Sequence, residues 1–264
     1  MIFPEINPTI LKIGFLQIRW YSMMYIISFI IGYFSIKKMY KARNIQLKKD
    51  DFENLFFYIM LGVMVGGRVG YVLFYNLSEC LHNPLEFFAV WHGGMSFHGG
   101  MLGVVLFGFI FSKKHGYDFY KLADPPAVIA PIALAFGRLG NFINAELYGR
   151  STDLPWGMVF PTDPERIPRH PSQLYELFLE GILLFAILFF LYNKKVKEGI
   201  VFWSFISFYG LFRFLVEFVR EPDVQLGHLI GFMTMGQILS SLMVIVGIVG
   251  IISCILKKQA KPEV

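Results

Sequence analysis

Charge is scarce in this 264-residue chain: Asp, Glu, Lys and Arg together make up 16% of it, against 55% hydrophobic residues. A soluble domain of this length carries about 25% charge. The apolar residues also run in long blocks rather than in amphipathic stripes, so the chain reads as a membrane protein. Cysteine is almost missing. Cys80 and Cys254 fall near opposite membrane surfaces on the topology argued below, which excludes a disulfide between them. Neither has a Cys or His neighbour suited to a metal site. Clusters of His, Asp and Glu with ligand spacing are lacking, as is a nucleotide-type phosphate loop. No metal and no organic cofactor is therefore expected. The formal charge of +5 is modest, and the basic residues sit at the ends of apolar blocks, which leaves no basic face for nucleic acid. A small-residue cleavage site is also lacking after the first apolar block, which starts near Tyr21. That block is too long for a signal-peptide core and is expected to stay as a helix.

What the chain does have is apolar length. A membrane-spanning helix needs about 20 apolar residues, and seven segments come close: 21–39, 52–75, 95–112, 121–142, 172–192, 200–219 and 233–256. The fourth holds Pro125, Pro126 and Pro131, which membrane helices tolerate where neighbours satisfy the freed carbonyls. Basic residues set the orientation. Lys37, Lys38, Lys41, Arg43, Lys48 and Lys49 follow the first span, Lys113 and Lys114 the third, Lys194, Lys195 and Lys197 the fifth, and Lys257, Lys258 and Lys261 the seventh. Seven spans put all these clusters on one side, the cytoplasm, with the N-terminus outside and the C-terminus inside. The expected architecture is all-α: one transmembrane domain over residues 1–264, capped outside by a Pro-rich loop at 145–171. Residues 1–18 are expected to lie along the membrane surface.

Charged groups inside spans carry the functional signal, because an Arg at mid-helix is unfavourable by about 2.5–3.5 kcal/mol or more. Arg68, Arg138 and Arg213 are such residues, and His98 opens the third span. With a rise of 1.5 Å per residue, all four fall in the outer half of the membrane. Tyr209, Arg213, Glu217 and Arg220 share one helical face. Glu217 can pair with either Arg, and Arg220 is either part of that stripe or an interfacial cation. Arg138 and Asn141 share a face on the fourth span. Arg68, beside a small-residue seam at Gly62, Gly66 and Gly70, fits a buried structural ion as well as a site residue. Planar guanidinium groups suit phosphate.

Six ordered segments resemble the prolipoprotein diacylglyceryl transferases. They are RWYSMMY at 19–25, GGRVGYVLFYN at 66–76, GGMSFHGG at 93–100, GRLGNFINAELYGR at 137–150, RHPSQLYE at 169–176 and YGLFRFLVEFVREPD at 209–223. His92 stands where that family often has Asp. The resemblance implies a multi-pass enzyme of the bacterial inner membrane with its active site toward the outer face. Such an enzyme moves the diacylglyceryl group of phosphatidylglycerol to the lipobox cysteine of a prolipoprotein and releases glycerol phosphate. The implied partners are phosphatidylglycerol, the prolipoprotein signal peptide and membrane lipids, with no nucleic acid. It further implies catalytic roles for His98, Arg138 and Arg213, with Tyr21, Asn141, Glu146, Gly149, Tyr209 and Glu217 binding substrate beside the two arginines. Within that scheme Arg138 and Arg213 hold the phosphate, Glu217 holds Arg213, and His98 takes the thiol proton. The alternative is a transporter with an Arg-lined anion site.

Overall fold

The computed structural model describes residues 1–14, 16–48, 50–89, 93–221, 228–230 and 233–257. His92, Asp223, Lys49, Lys258 and Lys261 lie outside the described residues. The fold is mostly helical. Among the described residues four helices are long and apolar enough to cross a membrane: Asp51–Tyr75, Phe119–Ile143, Ser172–Asn193 and Met235–Leu256. Three more helices, Trp20–Ala42, Phe97–His115 and the shorter Ile200–Val216, stand where the remaining spans were expected. The prolines of the fourth expected span lie inside a continuous helix. The described chain divides into two compact units, residues 37–123 and residues 1–36 with 124–264.

The first of these units contains α2 (Asp51–Tyr75), a short α3 (Leu77–His82) and α4 (Phe97–His115). The small-residue seam foreseen on α2 meets a matching one on α4. A methyl group on Gly62 would sit 2.7 Å from the carbonyl oxygen of Gly103, and one on Gly66 would run into the carbonyl of Gly99. The two backbones therefore touch, a contact that only glycine permits and that supplies dispersion where no hydrophobic drive exists. Arg68 resolves in favour of the structural ion. It is 4% exposed. Its Nε donates to Phe87 O at 2.9 Å, Nη1 to Gly93 O at 2.7 Å and Gly94 O at 3.1 Å, and Nη2 to Glu86 O. Two of these carbonyls belong to the 3-10 turn Pro84–Phe88 and two to the glycines just before α4, so the guanidinium ties the two segments together. Ser96 then caps α4, its Oγ accepting from Gly99 N at 3.3 Å.

The other unit begins with a hairpin of β1 (Thr9–Ile13) and β2 (Leu16–Arg19) that runs into α1 (Trp20–Ala42). The extreme N-terminus does more than follow a surface. Ile2 pairs with Val159 beside the small sheet of β3 (Met158–Val159) and β4 (Pro168–Arg169), and Phe3 packs with Ala145 and Phe160 as a buried cluster. Next come α5 (Phe119–Ile143), whose first turn belongs to the first unit, and the helix Ser172–Asn193. That helix is built from α6 (Ser172–Glu176), a π-helical run at Leu177–Leu183 and α7 (Leu184–Asn193). Two antiparallel partners, α8 (Ile200–Val216) and α9 (Met235–Leu256), complete the unit after the small β5–β6 pairing (His228–Ile230 with Met233–Thr234). Buried Asp124 on α5 caps α8 from a distance, accepting from Gly199 N at 3.0 Å and Phe202 N at 2.9 Å. This carboxylate fixes where α8 starts relative to α5.

Candidate active site

Three segments of this unit aim charged side chains at one another: the C-terminal half of α5, the α6 and π-helical stretch, and the end of α8. Glu176, 1% exposed, is the hub. It pairs with Arg138 of α5, with Arg213 Nη1 of α8 at 3.2 Å and with Arg220 Nη1 at 2.9 Å. Glu180, fully buried, stands 3.7 Å from Arg138 and 3.9 Å from Arg213. Arg213 also holds Glu217 at 2.8 Å, one helical turn on. Regular α spacing would place residues 176 and 180 on one face. The π-helical run between them widens the turn, and such runs recur at functional sites.

With three arginines and three glutamates ionised, the network sums to zero charge. An uncompensated ion here would be strongly unfavourable, because little water reaches the cluster. The arginines are its open side: their side chains keep 18% exposure at Arg138 and 12% at Arg213, against 0–1% for Glu176 and Glu180. Tyr209, 1% exposed and stacked on Phe205, lies within electrostatic reach of Arg138, Arg213, Glu176 and Glu180. Glu217 is fixed from the other side by Thr234 Oγ1, which donates to it at 2.9 Å. Thr234 also forms the capping box of α9 with Gln237. Gly236 makes room for the Glu217 carboxylate, which a methyl group would meet at 2.6 Å.

A second polar group lies one turn further along α5. Asn141 and Asn144 donate from Nδ2 to Glu146 Oε1 at 2.9 and 3.1 Å. Ala145 and Leu147, on either side of Glu146, both have left-handed backbones (φ +54° and +59°). That strained turn folds the chain back so that Glu146 reaches its own helix. Gln173 Nε2 donates to the Glu146 carbonyl at 2.7 Å, which ties the turn to α6. The amide oxygens of Asn144 and Gln173 are buried with no hydrogen-bond partner among the described residues. The ring of Tyr21 lies over Gly140, where a methyl group would stand 2.7 Å from it, and its hydroxyl shares a 3.0 Å hydrogen bond with Tyr25.

A profile of the prolipoprotein diacylglyceryl transferases matches residues 8–253. The phosphatidylglycerol–prolipoprotein diacylglyceryl transferase of Geobacter sulfurreducens is 53% identical over 94% of this chain and 95% of its own. Those of Azotobacter vinelandii and Bordetella bronchiseptica are 46% and 50% identical, over 98% and 93% of this chain and 98% and 94% of theirs. The chain belongs to the prolipoprotein diacylglyceryl transferase family.

For this transferase-family chain the structure places the expected residues unevenly. Arg138, Tyr209, Arg213 and Glu217 meet in one network. Tyr21, Asn141 and Glu146 form the neighbouring group in the same unit. Gly149 sits in a backbone clasp: its N donates to His170 O at 2.8 Å, it bridges to Arg220, and a methyl group on it would meet His170 Cβ at 2.9 Å. His98 belongs to the other unit, half-buried in the first turn of α4. Glu217 pairs with Arg213, while Arg220 turns to Glu176 instead of acting as an interfacial cation. Glu176 and Glu180 carry no role in the sequence reading, although Glu176 closes the quoted RHPSQLYE segment. Two carboxylates four residues apart in an apolar helix were the available signal, the same one that singles out Arg213.

The 145–171 loop has its own ion cluster. Asp163, 1% exposed, takes Arg169 Nε at 2.7 Å and Nη2 at 3.2 Å, and Arg169 also reaches Glu165 at 2.6 Å and Glu221 at 3.2 Å. The Arg169 hydrogen bond holds the Asp163 carboxyl below the usual carboxylate range. Burial pushes His170 below the ordinary imidazole value, and its Nδ1 lies 3.2 Å from the Tyr175 hydroxyl.

Proposed function

We propose that this chain transfers the diacylglyceryl group of phosphatidylglycerol to the thiol of a lipobox cysteine on a prolipoprotein. The thiol sulfur attacks the glyceryl carbon, a C–S bond forms, the C–O bond to phosphate breaks, and glycerol phosphate departs. The observation that carries this reading is the meeting of Arg138 and Arg213, from separate helices, across Glu176 and Glu180. Two planar forks held at fixed positions suit a phosphodiester and the charge that grows on it as it leaves. Asn141 and Glu146 orient the headgroup, Tyr21 and Tyr209 position substrate, and Glu217 keeps Arg213 in place. His98 is the group assigned to accept the thiol proton, since the thiolate is the nucleophile.

In the same reading all seven long helices cross the bacterial inner membrane, with the N-terminus and the 145–171 loop outside and the C-terminus in the cytoplasm. The Lys-rich connections on one side support that orientation.

Purified protein incubated with phosphatidylglycerol and a lipobox peptide should add the mass of one diacylglyceryl unit to the peptide and release glycerol phosphate. An unmodified peptide, with lipid intact, overturns the reading. Arg138→Lys and Arg213→Lys should each lower kcat/KM by about tenfold or more, because an ammonium lacks the fork. Near-normal turnover in His98→Gln removes that residue from the proton step without touching the arginines.

A further inference from the structure

One member of the ion network is held differently from the rest. Glu176 and Glu217 accept hydrogen bonds from Arg213, Arg220 or Thr234 at 2.9–3.2 Å. Glu180 is 0% exposed, yet neither of its oxygens has a hydrogen-bond partner among the described residues. Its cations stand off at 3.7 and 3.9 Å. The groups that face it are Arg138 from α5, Arg213 and Tyr209 from α8, Arg220 just beyond α8, and Glu176 on its own helix. Glu176 and Glu217 each keep one oxygen in a close ion pair with an arginine and accept a hydrogen bond on the other, so of the three carboxylates Glu180, with neither, loses least by taking a proton.

The network is neutral when all six groups are ionised. A lipid phosphodiester brings one more negative charge onto the exposed edges of Arg138 and Arg213. In a water-poor site that excess charge is unfavourable, and one proton cancels it. Resting on the phosphate-binding reading above, we propose that Glu180 takes up one proton when an anionic lipid phosphate settles on Arg138 and Arg213, and returns it when glycerol phosphate leaves. The proton comes from solvent and goes back to solvent. The thiol proton leaves separately, so the transfer stays balanced. Glu180 does not touch the reacting atoms in this scheme. It is a positioning residue that sets the charge of the cradle.

The sign follows from linkage. The lipid-bound state carries the extra proton, so affinity for the lipid falls as pH rises, by up to about tenfold per pH unit. In Glu180→Gln the cradle keeps one positive charge in excess. This variant should bind phosphatidylglycerol more tightly, show a KM that no longer depends on pH through this group, and turn over more slowly because glycerol phosphate is retained.

Infrared difference spectra of the protein in phosphatidylcholine nanodiscs, recorded on adding short-chain ether-linked phosphatidylglycerol, which has no ester carbonyl of its own, and without any thiol peptide, test the step directly. The wild type should gain the carbonyl stretch of a protonated carboxyl, and Glu180→Gln should not. No such band in the wild type, or the same band and the same pH slope of KM in Glu180→Gln, overturns the proposal. If Glu180→Gln does not fold, Glu180→Asp replaces it: a band that moves in frequency supports the assignment, and an unmoved band refutes it. Failure of the transfer reaction itself shows separately, as a peptide left unmodified at every pH.

Discussion

Replacing Glu176 by Gln removes the one carboxylate that three guanidinium groups share, while the side-chain volume barely changes. Arg138 pairs with it directly, Arg213 stands at 3.2 Å and Arg220 at 2.9 Å. At an effective dielectric of about 20, each contact at about 4 Å is worth roughly 4 kcal/mol before desolvation. Most of that is offset by the unfavourable burial of the charges. What remains on breaking a buried pair is about 3–5 kcal/mol. A chain of this size loses about 2–4 °C of midpoint per kcal/mol, so Glu176→Gln should melt about 6–20 °C below the wild type. Thermal unfolding in detergent, followed by fluorescence of the four tryptophans, measures this. A second variant decides the cause. Glu176→Gln combined with Arg220→Met restores neutrality, and the pair should lose less than the sum of its single losses, by about 0.5–3 kcal/mol. A single variant within about 1 kcal/mol of wild type, or a double variant that simply adds the two losses, would refute the argument that charge balance holds these helices together.

The remaining predictions concern other parts of the fold. Arg68→Lys keeps the charge but has three donors in place of the fork, so residues 84–89 and 93–96 should exchange amide hydrogens faster while α2 and α4 stay protected. Unchanged exchange in that loop would refute the organising role of Arg68. Gly103→Val drives a branched side chain straight into the Gly62 carbonyl oxygen. This should lower the thermal midpoint by several degrees through overpacking of about 1–3 kcal/mol, and a stable variant would disprove the close seam. Acid should loosen the 145–171 loop in two stages. His170, whose value is depressed by burial, contributes fully above about pH 6.5 and loses that contribution as pH falls toward its lowered value. Asp163, depressed by Arg169, contributes fully above about pH 4 and loses it below. Trp156, whose indole donates to Tyr175 at 2.8 Å, reports this in a variant lacking the other tryptophans. A signal flat from pH 7 to 3 would contradict both signs.

Helices were legible in the sequence because apolar length is a local property. Each expected span begins and ends within a few residues of an observed helix, Pro-containing α5 included. The arginines of the site were legible for a different reason: a charge inside an apolar run stands out without any knowledge of its partner. Partners were the weak point. Arg220 was equally an interfacial cation until Glu176 was seen beside it, and Arg68 was ambiguous until four loop carbonyls were found around it. Long-range choices such as Asp124 capping α8, 75 residues away, leave no pattern in the local sequence. The pairing of Ile2 with Val159 is illegible for the same reason, since a single strand bridge has no period.

The π-helical run at Leu177–Leu183 has a mechanical consequence. An α-helix turns about 100° per residue, and a π segment holds one residue more per turn, so this run sets the rotational phase between the two halves of Ser172–Asn193. Rewinding one of its turns to ordinary α pitch with every residue kept would carry one residue, about 100°, into the next turn. Everything beyond would swing by about a quarter of a revolution, leaving Glu176 in place while the apolar half presents a different stripe to its surroundings. One local irregularity thus keeps the polar end and the oily end of the same rod in register.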